Sequence, residues 1–228
     1  MARSPDPRAA TRASWLALPP EPWKNGGGVT RTLAADPAKR WRVSIADVDR
    51  AGPYSRFPGY DRVSVVLSGQ GVVLQDEGVE PPAVALPAVA LRPRAPAPFA
   101  GDRVLQSWLV GGPVRVLNLF VQRGAAQARV ACLGGEGRAC VAGSLPVSGE
   151  RQATRLVVAV DAGRFQVAPS GQQWALQAGE FAWSVGGSEA PDAQAAEPDL
   201  LADGLNGPPS DAAFAVCLDI VVHARGAG

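Results

Sequence analysis

Short β-branched runs, broken every few residues by glycine or proline, constrain this chain more than any other feature. Its 228 residues include 26 glycines and 21 prolines. No stretch keeps apolar residues at a helical period long enough to make a convincing long helix. The pattern is that of an all-β sandwich or barrel. It predicts strands at 29–35, 41–48, 62–67, 72–76, 89–92, 104–110, 114–122, 154–160, 164–167, 174–177, 181–185 and 214–223. Gly69-Gln70-Gly71 reads as a hairpin turn between two of them, the glycines supplying positive φ.

Residues 1–14 hold Arg and Pro without a hydrophobic segment and read as a disordered leader, not a secretory signal. A first lobe with the candidate pocket is expected over 15–124, beginning near Trp15. A second, smaller β lobe is expected over 125–228, closed by the last strand. The stretch 125–151 has small residues and weak strand character and reads as the join between lobes. Residues 77–87 and 186–211 read as loops.

Several chemistries are excluded. Net charge is +1, which gives no broad field toward nucleic acid or a membrane surface. No apolar run approaches the roughly 20 residues that cross a bilayer. The three cysteines fit no zinc spacing and no disulfide framework, so reduced thiols and a cytoplasmic location are expected. With His223 the only histidine, a metal site of two or three histidines cannot form within the chain. Cys217 is too far along the same strand to work with it, about 20 Å at strand rise. Gly26-Gly27-Gly28 matches neither a Walker loop nor a dinucleotide fingerprint. It is either a turn entering a strand or a place where backbone N–H groups approach a ligand.

Two cassettes concentrate the polar and aromatic chemistry. One runs Trp23-Lys24-Asn25-Gly26-Gly27-Gly28-Val29-Thr30-Arg31, the other Gly52-Pro53-Tyr54-Ser55-Arg56-Phe57-Pro58-Gly59-Tyr60-Asp61-Arg62. Arginine binds carboxylates bidentately and stays charged, so this mixture suits a small anionic or amide-bearing ligand. Alternation places Arg42, Ser44 and Ala46 on one face of strand 41–48, with Trp41, Val43 and Ile45 on the other.

These cassettes resemble the HutD/Ves family, as do Trp41 to Val48, Phe99-Ala100-Gly101-Asp102 and the segment Gly111 to Leu119. The motifs recur in order from about Trp15 to Gly124. The resemblance implies a cupin-type β-barrel, in the bicupin form of two β-barrel lobes in one chain. It also implies an association with histidine utilisation, through binding a pathway intermediate and restraining the pathway. Cupins often hold a metal through histidines, which this chain lacks, so a metal-free pocket without a cofactor is expected. One departure is Val116, where the family commonly carries an acidic residue.

The candidate ligand-binding residues are Trp23, Asn25, Thr30, Arg42, Ser44, Ser55, Phe57, Asp61, Arg62 and Asn118. Arginines would pair with a carboxylate, Trp23 would stack, and Asn25 or Ser44 would bond the nitrogen end of the ligand. The ligands in view are urocanate, formimino-glutamate, formyl-glutamate and formate. The alternative is a metal-independent isomerase or hydrolase, with Asp61 or Tyr54 as the proton-transfer group. A homodimer is expected by analogy with cupins alone.

Overall fold

The structure is a computed structural model that describes residues 11–77, 88–133, 140–143, 152–167, 172–186, 202–203 and 213–223. All regular structure in it is β apart from one 3₁₀ turn at Trp15–Ala17. The chain divides into two compact units. One spans Leu18–Arg123; the other takes the chain from Gly124 onward together with the N-terminal segment up to Ala17. The first described strand, β1 (Thr11–Ser14), belongs to this C-terminal unit.

The 18–123 unit holds β2 (Glu21–Pro22), β3 (Gly28–Ala35), β4 (Trp41–Val48), β5 (Gly52–Tyr54), β6 (Tyr60–Ser68), β7 (Val72–Asp76), β8 (Val89–Leu91), β9 (Pro96–Ala100), β10 (Leu105–Leu109) and β11 (Val114–Gln122). They form a six-stranded sheet ordered β2-β3-β4-β11-β6-β9 and a four-stranded sheet ordered β5-β10-β7-β8. Ala46, Val66, Val72, Leu74, Leu91, Leu105 and Val116 pack into one cluster with Tyr54 and Phe99. Burying each large aliphatic side chain here is worth about 1.5–3 kcal/mol. β4 is covered on both faces, because Val43 and Ile45 are as fully buried as Ser44 and Ala46.

The C-terminal unit adds β12 (Ala126–Leu133), β13 (Cys140–Gly143), β14 (Gln152–Ala159), β15 (Gly163–Val167), β16 (Gln172–Leu176), β17 (Glu180–Gly186), β18 (Ala202–Asp203) and β19 (Ala215–Val222). Its sheets run β1-β17-β14-β19-β12-β13 and β16-β15-β18. In both units the last long strand lies between two earlier ones: β11 between β4 and β6, and β19 between β12 and β14.

Four expectations change. Thr11–Ser14, expected in a disordered leader, pair antiparallel with β17, and the Trp15 amide donates to the Gly179 carbonyl at 3.0 Å. Trp15 is buried there, so it closes the C-terminal unit rather than opening the first lobe; residues 1–10 lie outside the described residues. The expected join at 125–151 contains β12, which pairs along its length with β19. Small residues with modest strand propensity fit there because both flanks of β12 are hydrogen-bonded neighbours. Gly69 (φ 94°) and Gly71 (φ 130°) do make a turn, but β6 and β7 lie in different sheets, so it is a corner and not a hairpin. A Cβ on Gly69 would come within 2.7 Å of the Pro113 carbonyl oxygen. Of the two expected loops, 78–87 and most of 186–211 lie outside the described residues, while Ala202–Asp203 form β18.

Candidate functional site

Three adjacent strands frame the site. Register places Ser44 of β4 and Ser64 of β6 on either side of Asn118 of β11. Two residues along, Arg42 and Arg62 flank Phe120 in the same way. All six share the sheet face that looks into the unit, since strand side chains alternate. Against this face lies a cavity of about 40 Å³, lined by Trp23, Thr30, Arg42, Ser44, Ala46, Tyr54, Ser55, Phe57, Arg62, Asn118 and Phe120.

Arg62 dominates its chemistry. The residue is only 4% exposed. Its Nη1 donates to the Ser55 carbonyl at 2.8 Å and its Nη2 to Asn118 Oδ1 at 3.1 Å, while Nε has no partner. The guanidinium carbon lies 4.6 Å from the Tyr54 ring centre, 4.7 Å from Phe120, 4.9 Å from Phe99 and 5.3 Å from Phe57. Arg42 stacks over Phe120 at 4.8 Å. Among the described residues, no ion pair joins either arginine to a carboxylate. Burial pulls the Arg62 pKa below its ordinary value; the Tyr54 hydroxyl opposes this and the Arg42 charge adds to it. Aromatic faces offset part of a buried cation's cost but carry no net charge.

Asn118 is fixed by its neighbours. Its Oδ1 accepts from Ser64 Oγ at 2.7 Å, Tyr54 Oη at 3.1 Å and Arg62 Nη2. With the carbonyl oxygen saturated, the amide nitrogen is the group Asn118 has left to offer, and its bond to the Val116 carbonyl is long at 3.4 Å. Trp23 Nε1 donates to Thr30 Oγ1 at 2.8 Å, so these two form one piece of wall. The segment Ser55 to Gly59 carries Ser55 and Phe57 to the cavity. The Phe57 amide donates to the Gly101 carbonyl at 2.7 Å and the Gly59 amide to Asp102 Oδ1 at 3.0 Å. Arg123 pairs with both Asp61 and Asp102 and holds this strap from outside.

The structure brings eight of the expected residues together: Trp23, Thr30, Arg42, Ser44, Ser55, Phe57, Arg62 and Asn118. It does not bring Asn25 or Asp61 to the cavity. Asn25 is exposed and its Oδ1 accepts from the Gly27 amide at 3.0 Å, a local turn contact. Asp61 is exposed and bonded to Arg123 at 2.7 Å, which removes it as a proton-transfer group for a bound molecule. Ala46, Tyr54 and Phe120 line the cavity but were not among the candidate binding residues. Alternation in β11 carried the signal for Phe120, which shares a face with Asn118. Gly28 meets the β4 backbone rather than a ligand: a Cβ there would lie 2.2 Å from the Asp47 carbonyl oxygen. Among the described residues, no group of three or more His, Cys, Asp or Glu could hold a metal ion. No described helix is long and apolar enough to cross a membrane.

Two packed β sheets around a donor-lined cavity define a cupin-like all-β protein, and comparison with known proteins places it further. A family model described as HutD matches residues 17–201, and the chain belongs to the HutD family. It is 36% identical over 107 residues to an uncharacterized 21.2 kDa protein in the hutC 3' region of Pseudomonas putida, covering 45% of this chain and 53% of that protein. It is 36% identical over 118 residues to Protein Ves of Citrobacter koseri, covering 50% and 58%. The matches thus span a little over half the length of these curated relatives. Among solved structures, HutD from Pseudomonas fluorescens SBW25, in a formate condition, aligns with TM-score 0.61 and 26% identity, covering 96% of this chain and all of that one. A conserved protein of unknown function from Pseudomonas aeruginosa PAO1 aligns at 0.65 and 26%, covering 95% and 100%. An oxalate decarboxylase variant from Bacillus subtilis aligns at 0.51 with 9% identity over 95% of this chain and 79% of that one, which speaks to fold alone.

Proposed function

We propose that this HutD-family chain binds a small carboxylate in the cavity of the 18–123 unit and acts as an accessory or regulatory factor of histidine utilisation in the cytoplasm. The observation that carries the binding reading is Arg62, a deeply buried guanidinium with a free Nε and no carboxylate partner among the described residues. A buried cation without a counter-ion is expensive to keep, and a bound anion removes that cost. The guanidiniums of Arg42 and Arg62 and the Asn118 amide nitrogen are N–H donors among the residues that line the cavity, which suits an acceptor-only ligand. The cavity of about 40 Å³ compares with roughly 10–15 Å³ per water in the same measure, room for about three non-hydrogen atoms. Formate has that size. Urocanate, formimino-glutamate and formyl-glutamate carry the same carboxylate and are larger than this volume, so only their carboxylate end would be seated in it. The pathway role rests on the family and on a relative named for its place beside hutC. The shared strand order of the units supports reading them as two cupin lobes.

Calorimetric titration with formate, acetate, urocanate, formimino-glutamate and formyl-glutamate tests the binding reading. The expected result is saturable heat from formate, lost in a folded Arg62→Met variant. A folded protein that gives no heat with any of them overturns it.

A further inference from the structure

The two units carry the same frame with one decisive difference. Matching β4, β11 and β6 to β12, β19 and β14 aligns their cross-strand rows one for one. In the 18–123 unit the rows are Arg42–Phe120–Arg62, Ser44–Asn118–Ser64 and Ala46–Val116–Val66. In the C-terminal unit they are Arg129–Asp219–Arg155, Ala131–Cys217–Val157 and Leu133–Ala215–Ala159. The six residues of the last two rows all belong to one buried apolar cluster. At the first row, arginines flank the central strand in both units. Between them stands Asp219 in one and Phe120 in the other. Arg155 Nε donates to Asp219 Oδ1 at 2.6 Å, with both side chains mostly buried. Arg129 is the cross-strand neighbour of Asp219 on the opposite side, and among the described residues the ion pair of Asp219 is with Arg155.

We infer that Asp219 is a built-in counterpart of the ligand: its carboxylate fills, in the C-terminal unit, the role that a bound carboxylate fills between Arg42 and Arg62. This rests on the binding reading above and deepens it, because it names the two flanking guanidiniums as the carboxylate clamp and Phe120 as the residue that leaves the clamp open. An acidic residue at that row supplies the charge internally. An aromatic one stacks on both arginines and supplies none. The apolar second row of the C-terminal unit agrees, since no hydroxyl or amide stands there to receive a ligand's remaining atoms.

Two substitutions in the full chain test this, with sodium formate as probe and sodium chloride at equal ionic strength as blank. Phe120→Asp places a carboxylate between Arg42 and Arg62, and formate affinity by calorimetry is expected to fall at least about tenfold. Asp219→Ser removes the internal carboxylate. Its melting temperature is expected to drop, and formate is expected to raise it saturably, in a way chloride does not reproduce, by more than the rise that formate at the 18–123 cavity gives the wild type. The double variant Asp219→Ser with Arg155→Met is expected to lose that excess and keep only the wild-type rise. A folded Phe120→Asp protein that binds formate like the wild type overturns the inference, as does an Asp219→Ser protein whose formate response does not exceed the wild type's. Should Phe120→Asp not fold, the Asp219→Ser result decides. A wild type that gives no formate heat overturns the binding reading and takes this inference with it. Wild-type binding with either variant failing overturns the inference alone.

Discussion

At the scale of single residues, Asn118 and Arg62 make opposite contributions. Asn118 Oδ1 satisfies three donors in a buried setting. Asn118→Leu leaves the Tyr54 hydroxyl, the Ser64 hydroxyl and one Arg62 nitrogen unpaired, at about 1–3 kcal/mol each. A loss of at least about 3 kcal/mol in urea unfolding is expected. Asn118→Asp keeps an acceptor in place and gives Arg62 a counter-ion, so it is expected to fold and to lose formate binding. Arg62→Met removes an uncompensated buried charge at similar volume, so its melting temperature is expected to equal or exceed the wild type's while binding disappears. A large fall in melting temperature would mean that the hydrogen bonds to Ser55 and Asn118 outweigh the desolvation cost.

At the scale of elements, Asp47 ties β3, β4 and β11 together through Arg31 at 2.7 Å and Arg115 at 2.6 Å. Burial pushes the Asp47 carboxyl up, and the Arg115 and Arg31 guanidiniums outweigh it, so its pKa lies below the ordinary carboxylate value. A folded-state pKa below the unfolded value of about 3.9 adds stability above that pH, and the contribution is lost as pH falls through the folded value. The urea midpoint of Asp47→Asn is therefore expected to fall short of the wild type's at pH 7, with the gap closing below about pH 4. Gly28→Ala drives a methyl into the β4 backbone and is expected to cost about 2 kcal/mol or more. The strands that frame the cavity were legible because alternation and β-branched runs mark them directly, as in β4 and β11. β12 was not, because its alanines carry little propensity and its place in the sheet decides its state. Asn25 and Asp61 were misplaced for a related reason. Cassette membership groups residues by sequence, whereas the turn at Asn25 and the ion pair at Asp61 turn them outward. Asp219 gave no signal on its own, since its meaning comes from register with two other strands.

At the scale of the whole molecule, polar chemistry is distributed unevenly between units with a common strand order. The interior face of the 18–123 unit presents Arg, Ser and Asn, while the matching face of the C-terminal unit is apolar above its Arg155–Asp219 pair. Ligand effects are accordingly expected to be local. Hydrogen exchange with formate present should show added protection in β4, β6, β11 and the Ser55–Phe57 backbone, and none in β12, β14 or β19. Protection that rises equally in both sets of strands would contradict a site confined to one unit. The Arg–X–Arg rows also carry an evolutionary consequence. With arginines flanking the central strand in both units, a change at that one central position suffices, on the proposed reading, to supply or withdraw the internal carboxylate, so a binding function can be acquired or retired there without altering the strand order.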